Sequence, residues 1–227
     1  MKIVLSLGGS VLLGENFEPE VVKDKILGFA RVISEISRKH TLFVVVGGGK
    51  VSRDYIRIAR EIGADETFGD YIGIAVTRLN AMLLSLAIES SPKLIPEDFR
   101  TAFELSLNHP VVVMGGTFPG HTTDATAALL AEFVKADLLL NATSVDGVYS
   151  ADPKKFRAER FERLSFDELV EIVSKGEAVA GSSNVLDLLA AKIIKRSGIK
   201  TIVFLGTPEN ILRAVEGDVS GIGTVID

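Results

Sequence analysis

At 227 residues the chain is long enough to bury roughly 70–75% of its extended-chain surface in one core without covalent staples. It contains no Cys, which excludes disulfides and thiolate metal sites and fits a cytoplasmic protein. The formal net charge of −5, with no long run of one sign, argues against non-specific nucleic-acid binding, which needs a basic footprint.

The chain opens on MKIVLSLGGSVLLG, where Gly8-Gly9 interrupts the apolar run early and no small-residue cleavage pattern follows, so no signal peptide is expected. Lys2 to Leu7 is predicted as a buried strand, Pro19 to Arg38 as an amphipathic helix, and Thr41 to Val46 as a second buried strand ending in Gly47-Gly48-Gly49. A helix over Val51 to Ile62 stops at Gly63, Thr67 to Gly69 is expected to turn, and Asp70 to Glu89 to be helical. Lys93 to Ile95 is expected to form a short strand and Pro96 to Leu107 a helix. Strand Val111 to Met114 and helix Asp124 to Lys135 come next, then strand Asp137 to Asn141. Asp152 to Lys155 marks a turn, and the segment up to Leu164 is expected to be an irregular excursion or a hairpin. Helices at Ser165 to Ser174 and Val185 to Ser197, strand Lys200 to Leu205, helix Glu209 to Glu216 and an edge strand at Gly223 to Ile226 complete the chain. No apolar run approaches the ~20 residues of a membrane helix. Strands alternating with helices give an α/β fold with a mostly parallel sheet, in a single domain over residues 1–227.

Ligands in such sheets bind beyond the C-terminal ends of the strands. Three of those ends carry glycines, at Gly8-Gly9, Gly47-Gly48-Gly49 and Gly115-Gly116. In the stretch VVVMGGTFPGHTTDATAALLAE, strand, glycine turn and a helix opened by Thr122, Thr123 and Asp124 form a device that suits an anion. The same Thr and Asp residues also fit plain helix caps, and so does Asp70 before Tyr71-Ile72. Gly49-Lys50 fails the Walker A spacing, no strand is followed by G-x-G-x-x-G, and G-x-S-x-G is missing. His40, His109 and His121 are far apart in sequence, and no metal ligands are singled out.

The segments MKIVLSLGGSVL, VVVGGGKVSRDYI, FGDYIGIAVTRLNAMLL, MGGTFPGHTTDATAALLAE and NATSVDGVYSADPKK resemble the amino-acid kinase superfamily, and within it the UMP kinases of archaeal type. The resemblance extends from residue 1 through AGSSNVLDLLAAKIIKRSGIKTIV. It implies a three-layer αβα sandwich, transfer of a phosphoryl group from ATP to UMP with Mg²⁺, and a homohexamer. It also implies an N-terminal part that mainly binds UMP and a part from about residue 137 that mainly binds ATP. Gly9 and Ser10 match the loop on the ATP phosphates, Gly49 and Arg53 match ATP contacts, and Gly48 matches a UMP contact. Asp70 matches the carboxylate on the acceptor's ribose, and Thr117, Phe118, Pro119, Gly120, His121, Thr122 and Thr123 match the loop that wraps UMP. Thr143, Tyr149 and Asp152 match the surroundings of adenine and its ribose.

A phosphate acceptor is already ionised at neutral pH, so no catalytic base is required. The obstacle is bringing two polyanions together: two unit charges 4 Å apart repel by about 4 kcal/mol at an effective dielectric near 20. Most superfamily relatives place a Lys two residues before Gly-Gly, where this chain has Ser6. Lys50 is the first candidate for the missing cation and Lys192 the second, with Asp187 as a candidate to orient it. Two rival readings stay open: a superfamily kinase acting on carbamate, a carboxylate or isopentenyl phosphate, and a nucleotide-binding protein that has lost catalysis.

Overall fold

The central strands are apolar at nearly every position because both faces of the sheet are covered. On β1 (Lys2–Leu7), Ile3, Leu5 and Leu7 point into one hydrophobic cluster and Val4 into another. β2 (Thr41–Val46), β3 (Val111–Met114) and β4 (Leu138–Thr143) alternate in the same way. The computed structural model describes residues 1–150, 158–177 and 186–227. Among them, β5 (Arg163–Leu164), β6 (Thr201–Leu205) and β7 (Gly223–Ile226) complete a seven-stranded sheet of order β3-β2-β1-β4-β6-β7-β5. β3, β2, β1, β4 and β6 run parallel, while β7 is antiparallel to β6.

One face is covered by α1 (Gly9–Leu13), α2 (Pro19–Ile36) and α9 (Pro208–Glu216), the other by α5 (Phe99–Ser106), α6 (Thr123–Val134), α7 (Phe166–Glu177) and α8 (Leu188–Ser197). α3 (Gly49–Glu61) and α4 (Glu66–Leu86) pack together beside the β2–β3 end of the sheet. This is the expected three-layer αβα arrangement. No helix among the described residues is long and apolar enough to cross a membrane.

Four expectations are corrected. Residues Thr67 to Gly69 lie inside α4 rather than in a turn, because the Asp65 carboxylate accepts from the Phe68 N–H at 2.7 Å and starts the helix there. Asp70 is therefore inside α4 and is not a cap. Lys93 to Ile95 forms no strand; Lys93 Nζ instead donates to the Ser85 and Ile88 carbonyls at 2.6 and 2.7 Å, satisfying the end of α4. Gly223 to Ile226 is not an edge strand, since β5, too short to show in the hydropathy pattern, pairs along its outer side. The segment after Gly8-Gly9 folds at once into α1. The turn expected at Asp152 to Lys155 lies outside the described residues.

Candidate active site

The C-terminal ends of β1, β2, β3 and β4 bring the glycine loops together. The first two loops press on each other: a Cβ at Gly9 would lie 2.1 Å from the Gly49 N and 2.5 Å from the Gly47 O. Gly49 adopts φ +66°, open to glycine at little cost. These glycines therefore serve chain-to-chain contact at least as directly as approach to a ligand. At the entry to the third loop, a Cβ at Gly115 would lie 2.6 Å from Thr77 Oγ1 and 2.7 Å from the Arg78 N, so this loop lies against α4.

α4 organises the loops more than its sequence suggests. Asn80 Nδ2 donates to the Gly47 carbonyl at 2.9 Å and to that of Gly48 at 3.3 Å. Thr77 Oγ1 accepts from the Gly116 N–H at 2.7 Å, and Arg78 donates to the Gly116 and Thr117 carbonyls. Asp70 accepts from the Gly120 N–H at 2.8 Å. Of these α4 residues only Asp70 was expected in the site. Thr77, Arg78 and Asn80 carry no sequence signal because their partners lie more than 30 residues away.

The other end of the third loop leads into α6, where Thr122 caps the helix by accepting from the Ala125 N–H at 3.0 Å. The same hydroxyl donates to Asp187, and Asp187 in turn caps α8 by accepting from the Ala190 N–H at 2.8 Å. Capping and site formation thus coexist in Thr122 and Asp187. Thr123 Oγ1 lies 3.4 Å from where a Cβ on Gly47 would sit, so the second and third loops abut. Phe118 is 64% exposed at the loop tip; His121, its ring tilted against Phe118, has its Nδ1 buried without a hydrogen-bond partner.

At the centre lies a polar cluster that the sequence reading missed. Ser6 and Asn141 are register partners on β1 and β4, both buried, and both fall on the α6 side of the sheet by strand alternation. Ser6 donates to Asp124 Oδ1 at 2.9 Å. Part of Asp124 still faces solvent, yet the protein closes around its carboxyl enough that burial pushes it up to about 7. The Ser6 hydrogen bond opposes that rise, the neighbouring Asp187 adds to it, and an Asn141 hydrogen bond again opposes it. The available signal was a Ser and an Asn interrupting two apolar strands at matching places.

The cationic candidates separate. Lys50 Nζ is paired with Asp54 at 2.9 Å, while Arg53 Nη2 lies 3.4 Å from Ser10 Oγ and 3.7 Å from Glu15. Lys192 is exposed on α8 without an ion-pair partner among the described residues. Thr143 ends β4, and the Tyr149 hydroxyl donates to Asp146 at 2.8 Å beside Arg160. Asp152 lies outside the described residues. The arrangement offers abutting loops rich in backbone donors, with a carboxylate that is costly to ionise at the start of α6. That geometry suits two anionic ligands approaching each other.

Residues 1–205 match the amino acid kinase family model. The uridylate kinase of Archaeoglobus fulgidus is 63% identical over 227 residues, covering all of both chains. That of Methanocaldococcus jannaschii is 48% identical over 231 residues, again at full coverage of both. Among solved structures, the crystal structure of the A. fulgidus uridylate kinase superposes with a TM-score of 0.90 at 61% identity, covering the whole of each chain.

Proposed function

This chain belongs to the amino acid kinase family, and from that premise we propose that it is a uridylate kinase, transferring the γ-phosphoryl group of ATP to UMP to give UDP and ADP. The observation that carries the reading is full-length identity of 63% to a uridylate kinase. The α4-braced loop from Gly116 to Thr123 supports it as the acceptor loop, and the Gly9-Ser10 and Gly49-Arg53 region as the ATP side. A phosphate oxygen of UMP attacks the γ-phosphorus; the new P–O bond forms as the bond to the β–γ bridging oxygen breaks, and the electron pair leaves with ADP. No proton has to be removed, so the protein aligns the reactants and compensates their charge. Mg²⁺, where it accompanies ATP, would supply charge neutralisation between the phosphates.

The deciding experiment is an ATP-dependent acceptor panel of UMP, CMP, dUMP, carbamate, acetylglutamate and isopentenyl phosphate. UDP and ADP formed from UMP are the expected products. Turnover of another acceptor with none of UMP, or nucleotide binding without ADP release, overturns the reading.

The proposed setting is the cytoplasm and a homo-oligomer, a homohexamer by family resemblance. The outer face of α4 supports self-association: Phe68, Tyr71, Ala75, Leu79, Met82 and Leu86 form one exposed apolar stripe, unusual on a monomer. The stripe is nearly symmetric about the small Ala75, so an antiparallel second copy would set Leu79 against Tyr71 and Met82 against Phe68 of its partner. Leu79→Glu is expected to lower the assembly mass measured by light scattering, and an unchanged mass would count against this face.

A further inference from the structure

Arg78 sits on α4, its side chain largely covered, with its fork spread over three acceptors. Nε donates to the Gly116 carbonyl at 3.2 Å, Nη2 to the Thr117 carbonyl at 3.4 Å, and Nη1 pairs with Glu97 at 2.6 Å. Only a planar guanidinium meets three such partners at once; a Lys ammonium would not span them. Neither carbonyl belongs to a helix or strand, so this contact decides which way two successive peptides face.

The peptide bonds of this loop are trans, and in a trans peptide the C=O of one residue and the N–H of the next point in opposite directions. With the Gly116 and Thr117 carbonyls drawn toward α4, the N–H groups of Thr117 and Phe118 are turned away from it. Neither N–H has a hydrogen-bond partner among the described residues. The flanking donors are already engaged on α4, Gly116 N–H by Thr77 and Gly120 N–H by Asp70, and Pro119 has none. Two adjacent free N–H groups on the open side of a loop form a small anion nest.

We propose that Arg78 is a positioning residue for the acceptor: by holding the Gly116 and Thr117 carbonyls against α4, it presents the N–H groups of Thr117 and Phe118 to the phosphate of the nucleoside monophosphate. This rests on the uridylate kinase reading and adds a residue to it. The guanidinium does not touch the phosphate; it acts through the orientation of two peptides. Glu97 holds the far side of the fork and leaves the two carbonyl contacts to the remaining nitrogens.

The test measures affinity for UMP, uridine and ATP by calorimetry, and KM for UMP and for ATP, in the full-length protein and in Arg78→Ala and Arg78→Lys. In Arg78→Ala the UMP affinity is expected to fall about tenfold or more. Uridine and ATP affinities stay within twofold, so the preference for UMP over uridine collapses. Arg78→Lys, which keeps the charge and the packed stem but not the fork, is expected between the two and remains folded if the Ala variant does not. A drop shared equally by UMP, uridine and ATP would reveal a structural role only and overturn the proposal. UMP affinity within twofold of the parent in both variants overturns it as well, leaving the uridylate kinase reading intact. A parent chain that binds no UMP overturns both.

Discussion

Asp124→Asn is expected to melt higher than the parent chain at pH 8 and to turn UMP over at least about 100-fold more slowly. The two effects have one source. Burial pushes the Asp124 carboxyl up to about 7, against an ordinary value near 3.8. Between those two pH values the folded chain holds a proton that the unfolded chain has released, so stability falls as pH rises through that window and levels off above about 7. The gap of about 3 units corresponds to at most about 4 kcal/mol, and to less here because Asp124 keeps part of its surface in solvent. Asn accepts the Ser6 hydrogen bond without a charge, so it removes this cost. Melting should therefore differ little between the two chains below about pH 4, where both states of the parent hold the proton, and at pH 8 the variant should gain several degrees. A variant that melts at or below the parent at pH 8 would show that the carboxyl is not strained.

Such a carboxylate is unfavourable in the resting fold, and it lies at the start of α6 directly after the proposed acceptor loop. Its charge makes sense if it holds a cationic group or donor in line during transfer, which is why the stabilised variant is expected to be slow. Ser6 fits the same logic. Where the superfamily resemblance implies a Lys, this chain has a hydroxyl that donates to Asp124 at 2.9 Å. The departure does not leave a hole in the site, because the side chain there is committed to the carboxylate and its register partner Asn141 sits alongside.

What the sequence made legible follows from how local each signal is. β1, β2, β3, β4 and β6 are visible because a strand covered on both faces is a nearly continuous apolar run, and the helices because their buried residues recur every three or four. α4 was placed four residues late because Gly69 reads as a breaker, although here it fits closely against Ile56. β5, at two residues, has no period to detect. In the site, Asp70, Thr122 and the glycine loops stood out by their place after strands or before helices. Asp124 was legible only as a helix-opening residue, since its partner Ser6 is 118 positions away. Arg78 and Asn80 looked like ordinary helix positions for the same reason: what they hold is set by the packing of α4 on the sheet, not by their neighbours in sequence.

The remaining prediction concerns the cation on the ATP side, where Arg53→Ala is expected to cut kcat/KM by about 100-fold or more and Lys50→Ala by only a few-fold. Both residues lie on the first turns of α3, so helix position does not separate them. Their partners do. Lys50 is bonded to Asp54, whose carboxyl is held below its usual range chiefly by that hydrogen bond, and the pair is closed within one helix face. Arg53 reaches across to Ser10 on α1, the residue that follows the first glycine pair, and its other neighbour, Glu15, is 3.7 Å away and mostly exposed. An exposed, loosely held guanidinium beside a glycine loop exchanges such partners for phosphate oxygens at little cost, whereas Lys50 would first have to leave Asp54. Arg53→Lys separates charge from geometry: if the planar fork matters, the Lys variant recovers only part of the loss. Steady-state kinetics with ATP varied at saturating UMP measure this directly. A larger loss in Lys50→Ala than in Arg53→Ala would return the role to Lys50 and require its ion pair with Asp54 to open when ATP binds.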